Sequence, residues 1–302
     1  MSKKMIALFL TLLLTLSLTT ALTEEAITVV DMFGREVALN GPVTRVVALE
    51  PSDCEILYAL GCEDALVGRG KYCDYPAHVQ ELPALESGAN TNLEEILALH
   101  PQLVIMSDMA HTKEQVNLLD QNGVRVITTN ANSIAEVYES IRLLGRVMGK
   151  EAEAANLIAD MQAAFDAIAA KSEKTEKTIY FEIMPLEWGL WSAGTNTFMH
   201  EFAEMCGMRN AFADIDGWQA VSEEQVIARN PDYIVLVTGM GETAVEEVMN
   251  RAGWEEISAI RNGKVYNADS YALTRPAPRL KDAAIDLYNF LYEAEAEEVP
   301  AA

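Results

Sequence analysis

Residues 92–105 read NLEEILALHPQLVI and align without a gap on residues 222–235, which read SEEQVIARNPDYIV. Each copy opens with a residue suited to cap a helix, Asn92 or Ser222, and has a Glu or Gln three residues later, which is the spacing of a capping box. A Pro-containing turn and an apolar strand follow. Two copies this far apart predict two similar lobes, because a solenoid needs more repeats at a shorter period.

Strand and helix patterns alternate on both sides of the first copy. A small hairpin is predicted at 27–39, strands at 45–49, 65–68, 103–107 and 124–128, and helices at 52–61, 92–99 and 111–122. Residues 133–171 are predicted to be helical with a break near Gly149, and at ~1.5 Å per residue they can cross a domain. A second series begins with strand 178–184 and ends with helix 280–292. Such alternation builds parallel sheets covered by helices.

The predicted fold class is α/β, with two lobes built on parallel-type sheets and joined by one long rigid helix. The expected divisions are a signal peptide at 1–21, an N-terminal lobe at 22–145, the connecting helix at 146–172, a C-terminal lobe at 173–295 and an acidic tail at 296–302.

The first 21 residues have the pattern of a secretory signal. Lys3 and Lys4 precede an apolar run over 5–18, and small residues close the segment at 19–21. An uncleaved membrane anchor is the alternative, although the run is shorter than the ~20 residues that a span needs. No cysteine lies in or just after the run, so no site for a lipid anchor is predicted. We expect a protein free in the periplasm or at the extracellular surface.

The chain is strongly acidic. It has 22 Lys and Arg against 46 Asp and Glu, for a formal net charge of -24 over 302 residues. Such a surface repels phosphate backbones and anionic lipid headgroups, which argues against nucleic-acid or membrane-surface binding. The sequence gives no sign of an obligate oligomer, so a monomer is expected.

The search for a catalytic constellation is negative. The chain has no G-x-S-x-G, Walker A, G-x-G-x-x-G or H-E-x-x-H motif. An enzyme is therefore not predicted, and neither a cofactor nor a resident metal is expected. A chelatase or hydrolase remains one alternative, and a bare-metal site built from His78, His111 and His200 is another.

A binding site is the better prediction. In α/β lobes, ligands bind beyond the carboxyl ends of the strands, where the sequence places Tyr72 in the first lobe and three tryptophans in the second. Trp188, Trp191 and Trp218 all fall on predicted loops beside glycines. Flat aromatic rings in such loops suit a flat, partly apolar ligand, although each could instead serve local packing.

Four cysteines remain, at 54, 62, 73 and 206. Cys54 opens the first helix and Cys73 follows the next strand, so both are placed at one end of the sheet. They are the expected disulfide pair in an oxidising compartment; four free or buried thiols are the alternative.

The order of several motifs resembles the periplasmic binding proteins for iron-siderophores and vitamin B12, over about residues 27–292. The first lobe carries the resemblance at 45–49, 54–61, 67–68, 72–76 and 92–96, and the second at 198–210, 218–226 and 275–280. The pattern departs from the vitamin B12 proteins at Gly88, where they carry a cleft tryptophan, and at Cys206, whose disulfide partner is missing here.

The resemblance implies a substrate-binding protein of an ABC importer, with a shallow cleft between two lobes that close only modestly. It implies that Glu94 and Glu224 dock into arginine pockets of the permease. It also implies that Tyr72, Trp191, Trp218 and Arg275 face the ligand, and Trp188 is added from its loop position. A corrinoid is favoured over a ferric siderophore, with haem or a bare metal ion as alternatives.

Overall fold

The computed structural model describes residues 26–107 and 113–296. The predicted signal peptide lies outside the described residues, as does the predicted acidic tail except for its first residue. Within the described part of the chain, no helix has the length and apolar character needed to cross a membrane.

The N-terminal lobe is built on a five-stranded parallel sheet in the order β5-β4-β3-β6-β7. Its strands are β3 (Val46–Ala48), β4 (Leu66–Gly70), β5 (Ala84–Leu85), β6 (Leu103–Ser107) and β7 (Arg125–Thr129), and its helices are α1 (Pro51–Ala59), α2 (Leu93–Ala98) and α3 (Lys113–Gln121). The three residues of β3 and the first four of β6 are buried. Continuous apolar burial is expected for central parallel strands, which are covered on both faces.

The C-terminal lobe has a four-stranded parallel sheet in the order β10-β8-β12-β13. Its strands are β8 (Thr178–Glu182), β10 (Arg209–Asn210), β12 (Tyr233–Leu236) and β13 (Val265–Asn267), and its helices are α6 (Phe198–Met205), α7 (Glu223–Arg229), α8 (Ala244–Met249), α9 (Ser258–Arg261), α10 (Ser270–Thr274) and α11 (Leu280–Ala296). The predicted fold class is confirmed, since each lobe is a parallel sheet covered by helices.

Two antiparallel strand pairs accompany the main sheets. Near the N-terminus, β1 (Ile27–Val30) pairs with β2 (Glu36–Leu39) as the predicted hairpin. In the C-terminal lobe, β9 (Trp191–Ala193) pairs with β11 (Trp218–Ala220). The second pair corrects one expectation: Trp191 and Trp218 lie on short paired strands rather than on loops, because their backbones hydrogen bond across the pair.

The lobes are connected by two successive helices, α4 (Ile134–Val147) and α5 (Glu151–Lys171). The helix break falls where it was predicted, with Gly149 at a φ of 66°, a conformation that favours glycine. The two helices pack closely at Gly145, where an added Cβ would come within 2.5 Å of the Ala154 Cβ. At ~1.5 Å per residue the 21 residues of α5 extend for about 32 Å.

One hydrophobic core runs through both lobes. It joins β3 and β6 of the first sheet, the buried face of α5, and β8 of the second sheet. Within it, the Phe165 ring on α5 lies 5.8 Å from the Phe202 ring on α6, centroid to centroid. Because the connecting helix contributes to a shared core, the lobes do not behave as two bodies on a loose linker.

The two repeat copies form the same structure. Each is a short helix, α2 or α7, that leads into the central strand β6 or β12. At the second copy, Ser222 and Gln225 form a complete capping box. At the first copy, the Asn92 side chain accepts hydrogen bonds from two backbone N–H groups of α2, but Glu95 contacts the Asn92 side-chain amide at 2.9 Å instead of its backbone. The first box is therefore only half formed.

Candidate functional site

A cavity of about 390 Å³ lies between the lobes, beyond the carboxyl ends of β3, β6 and β7. Both lobes contribute to its wall, together with the segment that leads into α4. Its lining consists of Glu50, Ser52, Asp53, Ser107, Thr129, Asn130, Ala131, Asn132, Ser140, Phe198, Trp218, Thr274 and Pro276. The position matches the predicted one, at the edge where open α/β sheets bind their ligands.

The wall on the side of the C-terminal lobe is aromatic. The half-buried Trp218 ring meets the Phe198 ring edge to face, with centroids 5.3 Å apart and an interplanar angle of 61°. The Trp218 Nε1–H donates to Asn132 Oδ1 at 3.2 Å. With its polar edge satisfied and one face packed, the indole is held rigidly at the cavity surface, as an aromatic anchor for a ligand should be.

The segment before α4 ties this wall to the rest of the cleft. The Phe198 N–H donates to the Asn132 carbonyl at 2.7 Å, and the Ile134 N–H donates to Glu201 Oε2 at 2.7 Å. Ser133 and Glu136 form a capping box at the start of α4. The beginnings of α4 and α6 are thus fixed to one another, which sets the position of Trp218 through Asn132.

Asp53 forms part of the wall on the side of the N-terminal lobe. It lies in the first turn of α1 and is fully buried. The Thr129 hydroxyl is within 2.9 and 3.0 Å of its two carboxylate oxygens. Burial raises the pKa of Asp53 to about 8, the Thr129 hydrogen bond opposes this rise, and the nearby Glu50 carboxylate adds to it. Asp53 therefore keeps its proton to a higher pH than an exposed aspartate does.

Two arginines of the C-terminal lobe bind carboxylates of the N-terminal lobe. Arg275 contacts Glu55 at 3.2 Å and Asp74 at 2.5 Å, and Arg279 contacts Glu55 at 2.6 Å. The Glu55 side chain is only 2% exposed. The Arg279 guanidinium also lies over the Tyr75 ring, 4.1 Å from its centroid. We call these five residues the interlobe latch.

Arg275, which was expected to face the ligand, takes part in the latch. Its two neighbours in sequence, Thr274 and Pro276, line the cavity, whereas the Arg275 side chain is directed to Glu55 and Asp74. Its charge is already balanced by carboxylates. Glu55 was not identified from the sequence, because its role depends on a residue 220 positions away.

The other predicted ligand residues occupy different positions. Trp218 lines the cavity, but Tyr72, Trp188 and Trp191 do not belong to its wall. These three residues are 64%, 64% and 40% exposed. The Tyr72 carbonyl accepts a hydrogen bond from Arg275 at 3.4 Å, which places this residue at the boundary between the lobes.

The cysteines at 54 and 73 are neighbours, as predicted, and are free thiols in this structure. Both are buried, and both point to the Ala48 carbonyl, with sulfur-to-oxygen distances of 3.7 and 4.0 Å. The hydrogen bond with Cys73, and then burial, raise the pKa of Cys54 well above its ordinary value. The disulfide itself stays a prediction.

Two of the histidines proposed for a bare-metal site have other surroundings. The His78 ring packs edge-on against Tyr58, with centroids 4.7 Å apart, and His200 lies beside Asn210 and Glu204. His111 lies outside the described residues. Within the described ranges, no three His, Cys, Asp or Glu side chains come together as a metal site would require.

Glu94 and Glu224 occupy equivalent positions in the two repeat copies. Each is the second residue of its helix, α2 or α7, and both side chains are exposed. Because each helix runs into a strand of the parallel sheet, its N-terminus lies at the carboxyl edge of that sheet, the edge where the cleft opens. The Ser222 hydrogen bond lowers the pKa of Glu224, so this glutamate is ionised at neutral pH.

The family is decided by comparison with known proteins. Residues 46–272 match the model of the family described as periplasmic binding protein. The chain belongs to this periplasmic binding protein family. The match includes both sheets, the connecting helices and all the cavity-lining residues except Thr274 and Pro276, so the family assignment covers the site as well as the fold.

Two curated relatives are similar over most of their length. An uncharacterized ABC transporter substrate-binding lipoprotein of Bacillus subtilis, YvrC, is 33% identical over 273 residues, covering 88% of this chain and 85% of the relative. A vitamin B12-binding protein of Vibrio parahaemolyticus is 31% identical over 250 residues, covering 82% of this chain and 89% of the relative.

Solved structures have the same fold. The vitamin B12-binding protein BtuF of Vibrio cholerae superposes with a TM-score of 0.70 at 26% identity, covering 84% of this chain and 98% of that one. The heme-binding protein RhuT from Roseiflexus sp. RS-1, in apo form, superposes with a TM-score of 0.73 at 27% identity, covering 83% of this chain and 98% of that one. Proteins with this fold thus differ in the chelates named for them.

Proposed function

We propose that this protein is the substrate-binding subunit of an ABC importer, and that it captures a metal chelate between its lobes and delivers it to a membrane permease. The observation that carries the proposal is the cavity at the carboxyl edge of the sheet, walled by both lobes and fitted with the anchored Trp218. Such a site can hold a ligand, and we propose that it does so without catalysing a reaction.

The proposed ligand class is a corrinoid or a ferric siderophore. The relatives named above include vitamin B12-binding proteins, and an aromatic anchor facing hydroxyl and amide side chains suits a chelate whose apolar faces are bordered by polar groups. A macrocyclic chelate is larger than this cavity, so one edge enters and the rest projects. The exposed rings of Tyr72, Trp188 and Trp191 are proposed to cover the projecting part.

We assign a role to each of the predicted segments of the chain. Residues 22–145 and 173–295 form the two lobes that hold the ligand, and 146–172 connect them. The latch in which Arg275 takes part keeps their relative orientation, so Arg275 contributes to binding by shaping the cleft. A shared core and a latch both favour modest closure rather than a wide hinge motion.

Glu94 and Glu224 are proposed to dock on the permease. Their exposure, their equivalent positions in the two repeat copies and their place at the carboxyl edges of the two sheets support this role. The partner is then a permease with basic pockets, approached by one monomer. Each glutamate also stabilises its helix dipole by ~0.3 to 1 kcal/mol, which a test must separate from docking.

We also propose that the protein is exported across the cytoplasmic membrane before it folds. The segment 1–21 is proposed to direct secretion and to be removed, leaving the protein in the periplasm or at the extracellular surface. The Bacillus subtilis relative is named a lipoprotein, whereas this chain has no cysteine near the end of the apolar run. In that oxidising space Cys54 and Cys73 are proposed to form a disulfide.

The experiment that tests the ligand class is a calorimetric titration of the secreted form with cyanocobalamin, dicyanocobinamide, ferrioxamine B and haem. One-to-one binding of a corrinoid or a ferric hydroxamate is expected. Binding of haem alone would contradict the proposed ligand class of corrinoids and ferric siderophores. If none of the four compounds binds at any pH tested, the proposed function is contradicted. A parallel titration with zinc, manganese and ferric ions separates the bare-metal alternative.

A further inference from the structure

We propose that Glu223 is a positioning residue for the docking glutamate Glu224, and that its hydrogen bond with buried Trp254 fixes how the C-terminal lobe meets the permease. This inference rests on the proposed docking role of Glu224 and adds how that docking surface is held. Glu223 and Glu224 are the first two residues of α7. Glu224 is exposed, whereas Glu223 is half-buried and its Oε2 accepts a hydrogen bond from Trp254 Nε1 at 3.1 Å. The two adjacent carboxylates therefore have different tasks.

The donor of this hydrogen bond is held rigidly inside the C-terminal lobe. Trp254 lies between α8 and α9 and is fully buried. Its ring lies 6.3 Å from the Tyr180 ring on β8, centroid to centroid, and the Arg251 guanidinium lies 4.3 Å from the Trp254 centroid. Arg251 is itself bound to Glu182 at the end of β8. Because a closely packed ring keeps its position, the Trp254 N–H attaches the first turn of α7 to a fixed point beside the central sheet.

The far end of α7 is held as well. The Ser258 N–H donates to Asn230 Oδ1 at 2.7 Å, directly after the helix, and Arg229 in its last turn contacts Asp214 at 2.7 Å. A helix held at both ends cannot rotate about its axis or shift along it without breaking one of these contacts. The backbone that carries Glu224 is thereby fixed before the permease is met, which reduces the loss of entropy on docking.

The two repeat copies hold their docking glutamates by different forces. Leu93 occupies the position in the first copy that Glu223 occupies in the second. It is partly buried and packs against the apolar cluster that contains Ile96 and Val104. Apolar contacts have no preferred direction, whereas a hydrogen bond weakens as its angle departs from linear. The C-terminal lobe therefore presents its glutamate in the more sharply defined direction, which suits a partner with a narrow basic pocket.

The test measures uptake of cyanocobalamin into proteoliposomes that contain the organism's own permease and ATPase subunits, at increasing concentrations of the loaded binding protein. Glu223→Ala should raise the half-saturating concentration about fivefold to tenfold, because one hydrogen bond to a charged group is lost. The maximal rate and the dissociation constant of the chelate should stay unchanged. Glu223→Gln keeps an acceptor oxygen and should restore most of the wild-type value. If cyanocobalamin does not bind in the titration above, ferrioxamine B takes its place.

Further variants separate positioning from docking. In the Glu224→Ala background, Glu223→Ala should change the half-saturating concentration by less than about twofold, because Glu223 acts through Glu224. Trp254→Phe removes the hydrogen bond donor and should raise the half-saturating concentration as Glu223→Ala does. Glu246→Ala removes an exposed carboxylate from the first turn of α8. It is the control and should dock as wild type does.

The position of α7 can also be tested without the permease. Hydrogen exchange of the Trp254 indole N–H, followed by NMR, should be faster in Glu223→Ala than in wild type, because the hydrogen bond that protects it is gone. In Glu223→Gln the exchange rate should stay close to that of wild type. An unchanged rate in Glu223→Ala would show that this hydrogen bond does not hold the helix.

The failures are distinguishable. If Glu224→Ala docks as wild type does, the docking role fails and this inference fails with it, whereas chelate binding in solution tests the ligand-capturing function separately. If Glu224→Ala docks poorly but Glu223→Ala docks normally, or weakens docking equally with and without Glu224, the positioning role is overturned and the docking role stands. An equal loss in Glu223→Gln and Glu223→Ala would mean that the Glu223 charge itself meets the permease, which also overturns the inference.

Discussion

At the scale of single residues, the site depends on side chains whose polar atoms are fixed before a ligand arrives. Trp218 is the clearest case, because Asn132 holds its N–H and Phe198 packs against its ring. Rigid aromatic side chains make effective anchors, since little conformational entropy is lost when they are covered. Tyr72 and Trp188, in contrast, are 64% exposed, so in the proposed complex their rings would be covered only when a ligand binds.

Replacement of Trp218 by alanine is predicted to weaken chelate binding by tenfold or more, because truncation of a central aromatic anchor costs about 2 kcal/mol or more. Calorimetric titration with the chelate that binds wild type measures the effect. Phe33→Ala, in the turn between β1 and β2, is the control and should bind as wild type does. Equal dissociation constants for Trp218→Ala and wild type would remove Trp218 from the site.

The raised pKa of Asp53 also leads to a prediction about the stability of the folded protein. Its pKa is raised from 3.8 to about 8 in the folded state, so the folded protein holds a proton that the unfolded chain releases. Unfolding then becomes easier as the pH rises from about 4 to about 8. The difference in unfolding free energy between Asp53→Asn and wild type should grow by about 1.4 kcal/mol per pH unit across this range.

Urea denaturation at pH 5, 6, 7 and 8 measures this slope. The sign of the slope is what the experiment decides. The unfolding free energy of Asp53→Asn should increase relative to that of wild type as the pH rises. A difference that stays constant with pH would mean that Asp53 is ionised in the folded protein, with a partner that compensates its charge.

At the scale of secondary-structure elements, helix α1 serves three regions with three consecutive residues. Asp53 faces the cavity, Cys54 lies in the core beside Cys73, and Glu55 joins the latch. Because successive helix residues point about 100° apart, neighbours in sequence can face entirely different surroundings. A shift of α1 would therefore disturb the cavity, the core and the contact between the lobes together.

The C-terminal lobe contains a buried ion pair at the end of β8. Arg251 contacts Glu182 at 2.8 Å and Glu247 at 2.6 Å, with the Arg251 and Glu182 side chains 3% and 1% exposed. The guanidinium also stacks over the Trp254 ring, 4.3 Å from its centroid. This pair holds the strand β8 to the turn after α8, on the side of the sheet away from α5.

Arg251→Met is predicted to destabilise the protein by about 3 to 5 kcal/mol, because it leaves Glu182 buried without a cation to balance its charge. Chemical denaturation is the measurement. Arg261→Met is the matched control, since its pair with Glu256 is exposed at 3.6 Å and should contribute less than about 1 kcal/mol. Adding Glu182→Leu to Arg251→Met should restore part of the loss; a further loss would contradict this explanation.

At the scale of the whole molecule, the connection between the lobes is both apolar and ionic. The core is continuous through α5, and the latch closes the contact on the side of the cleft. Glu55 is the central member of the latch because both arginines bind it. The orientation of the lobes is thus set by groups that the ligand does not have to supply.

Glu55→Gln is predicted to loosen the latch and to lower stability by on the order of 3 kcal/mol, because two largely buried arginines lose their shared carboxylate. Hydrogen exchange should become faster in 72–76 and 269–275, and chelate binding should weaken as the lobes separate more often. Glu86→Gln is the control, since it removes only an exposed pair with Lys71. Unchanged exchange in both segments would show that the latch does not hold the lobes.

The docking role is tested with Glu94→Ala combined with Glu224→Ala. Chelate binding in solution should match wild type, because neither residue lines the cavity, whereas uptake through the importer should be lost. Glu114→Ala with Glu256→Ala removes the same charge from other exposed positions and should leave uptake intact. Normal uptake in the docking variant would contradict the role, and a loss of melting temperature would point to helix capping instead.

Much of the architecture could be predicted from the sequence because its causes are local. The repeat at 92–105 and 222–235 indicated two related lobes, and hydrophobic periodicity placed β6 at its observed bounds and the helix break at Gly149. Trp218, which lines the cavity, was also singled out, as a tryptophan beside a glycine on a predicted loop. These features depend on helix caps, strand burial and glycine conformations, which a short stretch of sequence determines.

The chemistry of the cleft was decided only by the tertiary structure. Glu55 and Arg275 are 220 residues apart, and Asp53 and Thr129 are 76 apart. In a chain with 46 acidic residues, no local pattern distinguishes a buried neutral carboxyl, or a carboxylate that binds two arginines, from a solvated one. Burial and charge pairing arise when distant segments meet, so the sequence determined the lobes, whereas the packing of one lobe against the other decided which side chains a ligand meets.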